Sequence, residues 1–445
     1  MPLYRIFIWL CLLLPCYTFS KNKILFDTIQ EDYKKRVESL YNKRVLEQKK
    51  VFSNQLTERK VRSDVEKTYT ELSTEIIESI KKGIFVDEKN FREKVNTLFE
   101  KIQKNNPKYS QLAETEILFS FGVAPNAYAI GNDIIVLNIP LLQRLDNEMQ
   151  LAYIICHEIA HNLMHHSYSS IVDYAKLKNS EELKKQTREI EKQKYNKGQI
   201  ASGLYKDIVY GKRKNNRKYE HQADSLGYIL FNNTFPNYAY ESVKTLELLE
   251  TIDTETDSLT LKDYIFLFDT EKSPFRESWI NSTELDKYNY QNDSKFWVVD
   301  SLKTHPDCAI RIQFLKEHFA VESDKQWEGE SDFLHLKSSA KYNAVLGMYF
   351  IEEYGKSLYQ TLLLYKNDPE DEFLKKLIKA NLLKLQVAQN SYTLNKHLDI
   401  INPKFSNSYN TFLYFFRQLR KRQLTAIIDF SSAGLLTLRC DSYST

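Results

Sequence analysis

Glu148-Met-Gln-Leu-Ala-Tyr-Ile-Ile-Cys-His157-Glu-Ile-Ala-His161-Asn-Leu-Met164 is the stretch around which the chain is organised. Leu151 to Met164 is apolar on most faces, which predicts a buried helix. Asp146 is a good N-cap, and Glu148 puts an acid in the first turn, where the helix dipole favours it. On such a helix His157 and His161, four apart, lie on one face a turn from each other. Two imidazoles so placed can bind one Zn²⁺ at about 2.0–2.1 Å each. Glu158 follows the first of them and can reach a water on that ion and take its proton. With 9 His and 59 acids in 445 residues, a His-acid-x-x-His string arises by chance about 0.02 times. The apolar setting sharpens the signal, because buried polar groups need partners.

A catalytic zinc needs a third protein ligand and an open position. Downstream stands Glu220-His-Gln-Ala-Asp224-Ser-Leu-Gly227, on a helix expected to start near Arg217 and run through Leu230. Glu220 and Asp224 are again four apart. One carboxylate can complete the coordination, while the other accepts a hydrogen bond from the far nitrogen of a zinc-bound His and fixes its tautomer. Glu220 is assigned to the metal and Asp224 to the supporting role. Spacing alone also allows the reverse, and His221 is a rival ligand. His165 and His166, one turn beyond His161, read as supporting or structural.

Outward from this centre, the composition is that of a folded globular protein. Hydrophobic residues make up 42% and charged residues 27%, which excludes wholesale disorder. The net charge of +3 gives no support for a nucleic-acid-binding surface. Gly (11) and Pro (10) are both scarce, so the chain should be mainly helical. At the N-terminus, Arg5 precedes the apolar run Ile6 to Pro15, with Thr18 and Ser20 as small exit residues. This reads as a cleaved secretory signal over residues 1–20, too short for a membrane span. An uncleaved anchor and lipid attachment at Cys16 are the weaker alternatives. No later segment reaches spanning length, so the mature protein is expected to be exported and soluble. Only Cys156, Cys308 and Cys440 lie beyond the signal, which allows one disulfide at most.

Phe26 to Lys104 is charged and helical in period, with Phe91, Val95, Leu98 and Phe99 on one apolar face, ended by Asn105-Asn106-Pro107. Ile117 to Phe121 and Ile134 to Leu137 then read as strands of a small hairpin or meander. The charged segment 167–216 reads as an exposed, helical insertion that could act as a lid. After Val321 the chain should be helical. Tyr342 to Tyr365 and Glu370 to Gln386 are expected as two helices around Asn367-Asp368-Pro369, either a tetratricopeptide-like hairpin or an ordinary cap.

Four ordered matches carry a resemblance. They are Pro125-Asn-Ala-Tyr-Ala129 with Gly131 and the strand Ile134 to Leu137; Glu148 to His161; Arg217-Lys-Tyr-Glu220-His-Gln-Ala-Asp224; and Thr304-His305-Pro306 with Arg311. Together the chain resembles the zinc metallopeptidases that include HtpX-type membrane proteases, CAAX prenyl endopeptidases and BepA-like periplasmic proteases. The resemblance implies a zincin-like fold of the gluzincin type, with one zinc held by His157, His161 and Glu220. It implies His305 beside the zinc as stabiliser of the tetrahedral intermediate, and carries Arg311 over to the substrate site. Ile134, Ile135, Val136 and Leu137 are expected as an edge strand that pairs with an extended substrate. The absence of spanning helices in the catalytic region favours the secreted or periplasmic members.

The expected protein is therefore an α+β, mainly helical zinc metallopeptidase. Its domain covers residues 21–320, with a small β-sheet, and a helical C-terminal module covers 321–445. The expected activity is hydrolysis of peptide bonds in unfolded or misfolded proteins, in quality control of the cell envelope, with the C-terminal helices available to protein partners. Two alternatives remain at this point: a chaperone-like binding module with a latent or vestigial zinc site, and a zinc hydrolase acting on a non-peptide bond.

Overall fold

The computed structural model describes residues 31–192, 217–280, 308–321, 331–402 and 404–432. The signal segment 1–20 with Cys16, the insertion beyond residue 192, His305 and Cys440 lie outside the described residues.

The chain opens with a helical hairpin, α1 (Glu31–Gln55) and α2 (Arg59–Lys81). Val37, Tyr41, Val45 and Phe52 of α1 and Val61, Val65 and Tyr69 of α2 recur at helical spacing and are buried in a core shared with Leu118, Ile134, Val172 and Ala175. A short strand β1 (Phe85–Val86) and α3 (Lys89–Asn105) follow. Glu88 caps α3 by accepting from Phe91 N–H at 2.7 Å. Phe91, Val95 and Leu98 are buried as their spacing requires.

Three further strands complete a four-stranded sheet: β2 (Glu116–Ser120), β3 (Ala127–Gly131) and β4 (Ile134–Asn138). The order is β1-β2-β4-β3, with β2 and β4 parallel and the other pairs antiparallel. The sheet is therefore mixed and not a meander. The β3–β4 turn is made by Asn132 and Asp133, both at φ 56, as a two-residue turn matched to strand twist demands. β4 is paired on both sides, and Ile134, Ile135, Val136 and Leu137 are each 0% exposed. These four residues are thus not an edge strand, and the expectation that they pair with substrate is corrected. The edge beside the site is β3.

After α4 (Ile139–Arg144) comes α5 (Glu148–Leu163), the buried helix read from the sequence. Its cap is one residue later than expected. Asn147 Oδ1 accepts from Met149 and Gln150 N–H, while Asp146 instead exchanges hydrogen bonds with the Gln150 side chain. α5 packs against β3, β4, α3 and α9 (Glu241–Thr251). Two helices then occupy the start of the charged segment, α6 (His166–Asn179) and α7 (Glu181–Lys192). α6 is no free arm: it packs on α2 and β3, with Val172 and Ala175 in the hairpin core. The helix spanning 217–234, α8, carries the second motif.

The remaining helices are α10 (Leu261–Phe268), α11 (Cys308–His318), α12 (Ser331–Phe350), α13 (Tyr354–Tyr365), α14 (Glu372–Asn390), α15 (Asn407–Gln418) and α16 (Lys421–Ser432). The expected helix from Tyr342 to Tyr365 is broken between α12 and α13, where Glu352 adopts φ 67. Asp371 caps α14 and also accepts from Tyr342 Oη at 2.9 Å. A boundary at 320 does not follow the packing. Leu259, Tyr264, Leu267 and Phe268 belong to the C-terminal core, whereas Phe333, Leu336, Ala340 and Ala344 of α12 belong to the core around α5. Among the described residues, no helix is long and apolar enough to cross a membrane.

Candidate active site

α5 and α8 cross at Gly227. A Cβ there would stand 2.9 Å from His157 Cα, so only glycine lets the two backbones come this close. Glu220 lies seven residues back on α8, on the same face, and Asp224 lies between them. The close crossing is what presents both carboxylates to His157.

His157 Nε2 lies 3.1 Å from His161 Nε2 and 3.5 Å from Glu220 Oε2, and His161 Nε2 lies 3.6 Å from Glu220 Oε1. Donors bonded tetrahedrally to zinc at about 2.0–2.1 Å sit roughly 3.3 Å apart. The three residues therefore fit a metal ion, and among the described residues they form the group able to hold one. His221, the rival ligand, is outside this group; its ring packs on Phe314 instead.

Each ligand is held from behind. Asp224, fully buried, places Oδ1 3.1 Å from His157 Nδ1, leaving Nε2 to face the metal position. Of the two orders that the spacing leaves open, the geometry has Glu220 at the metal position and Asp224 behind His157. His161 Nδ1 lies 3.0 Å from His166 Nδ1, and His166 Nε2 lies 3.2 Å from Gln222 Oε1. With Nε2 of His161 turned to the metal position, its Nδ1–H donates to His166, whose Nε2–H donates to Gln222. Tyr219 stacks on the His166 ring at 4.6 Å. Burial lowers His161 to about 3 and His166 to about 4, so both rings are neutral, the form that ligates.

Arg311 corrects another expectation. It does not line a substrate surface, because it is 1% exposed beneath the ligands. Its Nε and Nη2 donate to Asp224 at 2.8 and 2.7 Å, and Nη1 lies 3.1 Å from Glu220 Oε2. Burial would raise both carboxyls, but Arg311 and His157 outweigh it. Asp224 is held down to about 2 and Glu220 well below the usual carboxylate range. For His157, burial disfavours the charged ring, yet hydrogen bonding to Asp224 and Glu220 raises it to about 9.

Glu158 is buried at 6% exposure, and burial raises its carboxyl to about 7. The same carboxyl accepts a hydrogen bond from the Ala129 N–H of β3. A carboxylate at this value beside the ligand cluster suits proton transfer near neutral pH. Ala129 turns its carbonyl the same way, to Ser167 Oγ at 3.1 Å. Asn126 O, of opposite parity, bonds to β4. Both outward groups of Ala129 are thus taken by side chains, Glu158 and Ser167, and an extended chain adding to this edge displaces them. Sequence reasoning missed Gln222, Tyr219 and the strand β3. The first two sit two residues and one residue from Glu220, which was the available signal.

A buried two-His helix, a carboxylate ligand from the next core helix and an adjacent buried glutamate define a metal-dependent hydrolase of the zincin kind. A family model for peptidase family M48 matches residues 87–318, just over half the chain. The chain belongs to peptidase family M48, a family of zinc metallopeptidases. No curated protein matches it.

Proposed function

We propose that this protein is a zinc-dependent endopeptidase that cleaves unfolded or misfolded chains outside the cytoplasm. The observation that carries the reading is the convergence of His157, His161 and Glu220 with Glu158 beside β3. Bound zinc would supply a Lewis acid for the scissile carbonyl and lower the pKa of a water. Glu158 takes the proton of the attacking water and returns it to the leaving amine. Asp224 and His166 hold the two imidazoles in their ligating tautomers, and Arg311 keeps Glu220 and Asp224 ionised. β3 holds the substrate backbone, so sequence preference from that contact is small. His305 as oxyanion stabiliser rests on the resemblance. Export rests on the apolar N-terminal run, and a role in envelope quality control rests on both. Partner binding by the C-terminal helices rests on the tetratricopeptide-like hairpin pattern around Asn367-Asp368-Pro369. The buried, poised Glu158 weighs against a latent binding module.

The test is metal analysis of the purified mature protein together with proteolysis of an unfolded protein. Zinc near one per chain, cleavage by wild type and none by Glu158→Gln are expected. Undiminished cleavage by Glu158→Gln would remove the proposal.

A further inference from the structure

A cavity of about 340 Å³ opens beside the ligand cluster, lined on one side by His161 and on another by Ile130 and Gly131 at the end of β3. Its apolar wall includes Tyr41, Tyr69, Leu72, Ile76 and Ile171. Tyr69, Leu72 and Ile76 recur three and four residues apart, so one stripe of α2 faces the space. Leu72 is 43% exposed. The wall is fixed relative to β3. Arg44 Nη1 of α1 donates to Asn132 O at 2.9 Å and lies 3.3 Å from Asp133 Oδ2, and Tyr69 Oη bonds the Asn132 side chain. α1 and α2 precede the residues that match the family, so this wall belongs to the chain's own N-terminal addition.

We propose that this cavity is a side-chain subsite that takes a large apolar or aromatic side chain of the substrate, on the amino-terminal side of the scissile bond. The proposal rests on the endopeptidase reading above. β3 runs from Ala127 beside Glu158 toward Gly131 at the cavity mouth. A peptide that takes the place of Ser167 Oγ on Ala129 O and adds antiparallel to β3 brings its amino-terminal half over that mouth. The cavity lies within the size range of small-molecule and side-chain pockets, and burying one large apolar side chain there favours binding by about tenfold or more.

The probe is a peptide series identical except at one position, carrying Ala, Leu or Phe. Cleavage is measured with wild type, and binding is measured by fluorescence anisotropy with the zinc-loaded Glu158→Gln chain. Phe and Leu are expected to exceed Ala about tenfold in both, with cleavage on the carboxyl side of the varied residue. Leu72→Trp, at an exposed position, should narrow the cavity and erase the preference for Phe. Ile76→Ala should widen it and weaken the preference for Leu more than that for Phe. Equal binding of the three peptides, or a preference unchanged in both variants, overturns the subsite. Phe-dependent binding to a chain whose wild type cleaves nothing would retain the cavity as a binding site and overturn the endopeptidase reading instead.

Discussion

At the scale of single residues, Arg311 has the sharpest consequence. It is a buried cation holding two buried anions. Replacing it with Met leaves Glu220 and Asp224 side by side with only the His157 ring to offset them, and removing one partner of a buried ion pair costs about 3–5 kcal/mol. Zinc bears on the same two carboxylates. Arg311→Met should therefore melt well below wild type without metal and gain more from added zinc, as thermal melts with and without metal would show. Equal gains would mean that Arg311 and the metal do not share these anions. His157 sets the pH dependence. Its folded value, about 9, lies above the ordinary His value. Its contribution to the stability of the metal-free protein is therefore complete below about 6.5 and lost as pH rises through 9. Metal binding runs the other way, because the ion must displace that proton. Zinc affinity should rise with pH up to about 9, with roughly one proton released at pH 7. Calorimetry in buffers of different ionisation enthalpy measures the release, and none at pH 7 would contradict the protonated ring. The ligands themselves were legible in the sequence because i and i+4 must share a helix face. Arg311 was legible only as a position, since a lone arginine has no period to say whether it faces solvent or a buried anion.

At the scale of elements, the α5–α8 crossing decides whether the ligands meet. Gly227→Ala adds helix propensity worth about 0.8–1.0 kcal/mol, yet its methyl would lie 2.9 Å from His157 Cα, a backbone atom that cannot give way. α8 must then move away, taking Glu220 and Asp224 with it. We expect Gly227→Ala to fold with weakened zinc retention, seen as a lower metal-to-protein ratio after dialysis, and His166→Phe to weaken retention by about 10–100-fold by freeing the His161 ring. Full retention in Gly227→Ala would show that the crossing has slack. Helices were readable from periodicity wherever one face is buried, as in α3 and α5. The sheet was less so. Ile134 to Leu137 is a continuous apolar run, which is what a strand covered on both faces carries. The true edge, Ala-Tyr-Ala-Ile-Gly, is short and ordinary in composition, and its identity depends on pairing with β4, which no local pattern encodes.

At the scale of the whole molecule, the site joins segments far apart in the chain: α5, α8 and α11 converge on one ion position, and the β3 edge lies over it. The core around α5 is distinct from the aromatic-rich core of α10 and α13–α16, and α12 contributes to both. A metal bound at His157, His161 and Glu220 stabilises by RT ln(1 + [L]/Kd), about 2.7 kcal/mol at one hundred times Kd. That free energy acts on the openings that separate α5 from α8 and α11, and not on those confined to the C-terminal core. Hydrogen exchange in zinc and in chelator should therefore differ most in α5, α8 and α11. Protection in α14 and α15, whose buried faces look into the second core, should stay nearly the same. Uniform loss of protection on chelation would instead show that α12 couples the two cores into one cooperative unit, so that stripping the metal loosens the C-terminal helices as much as the catalytic ones.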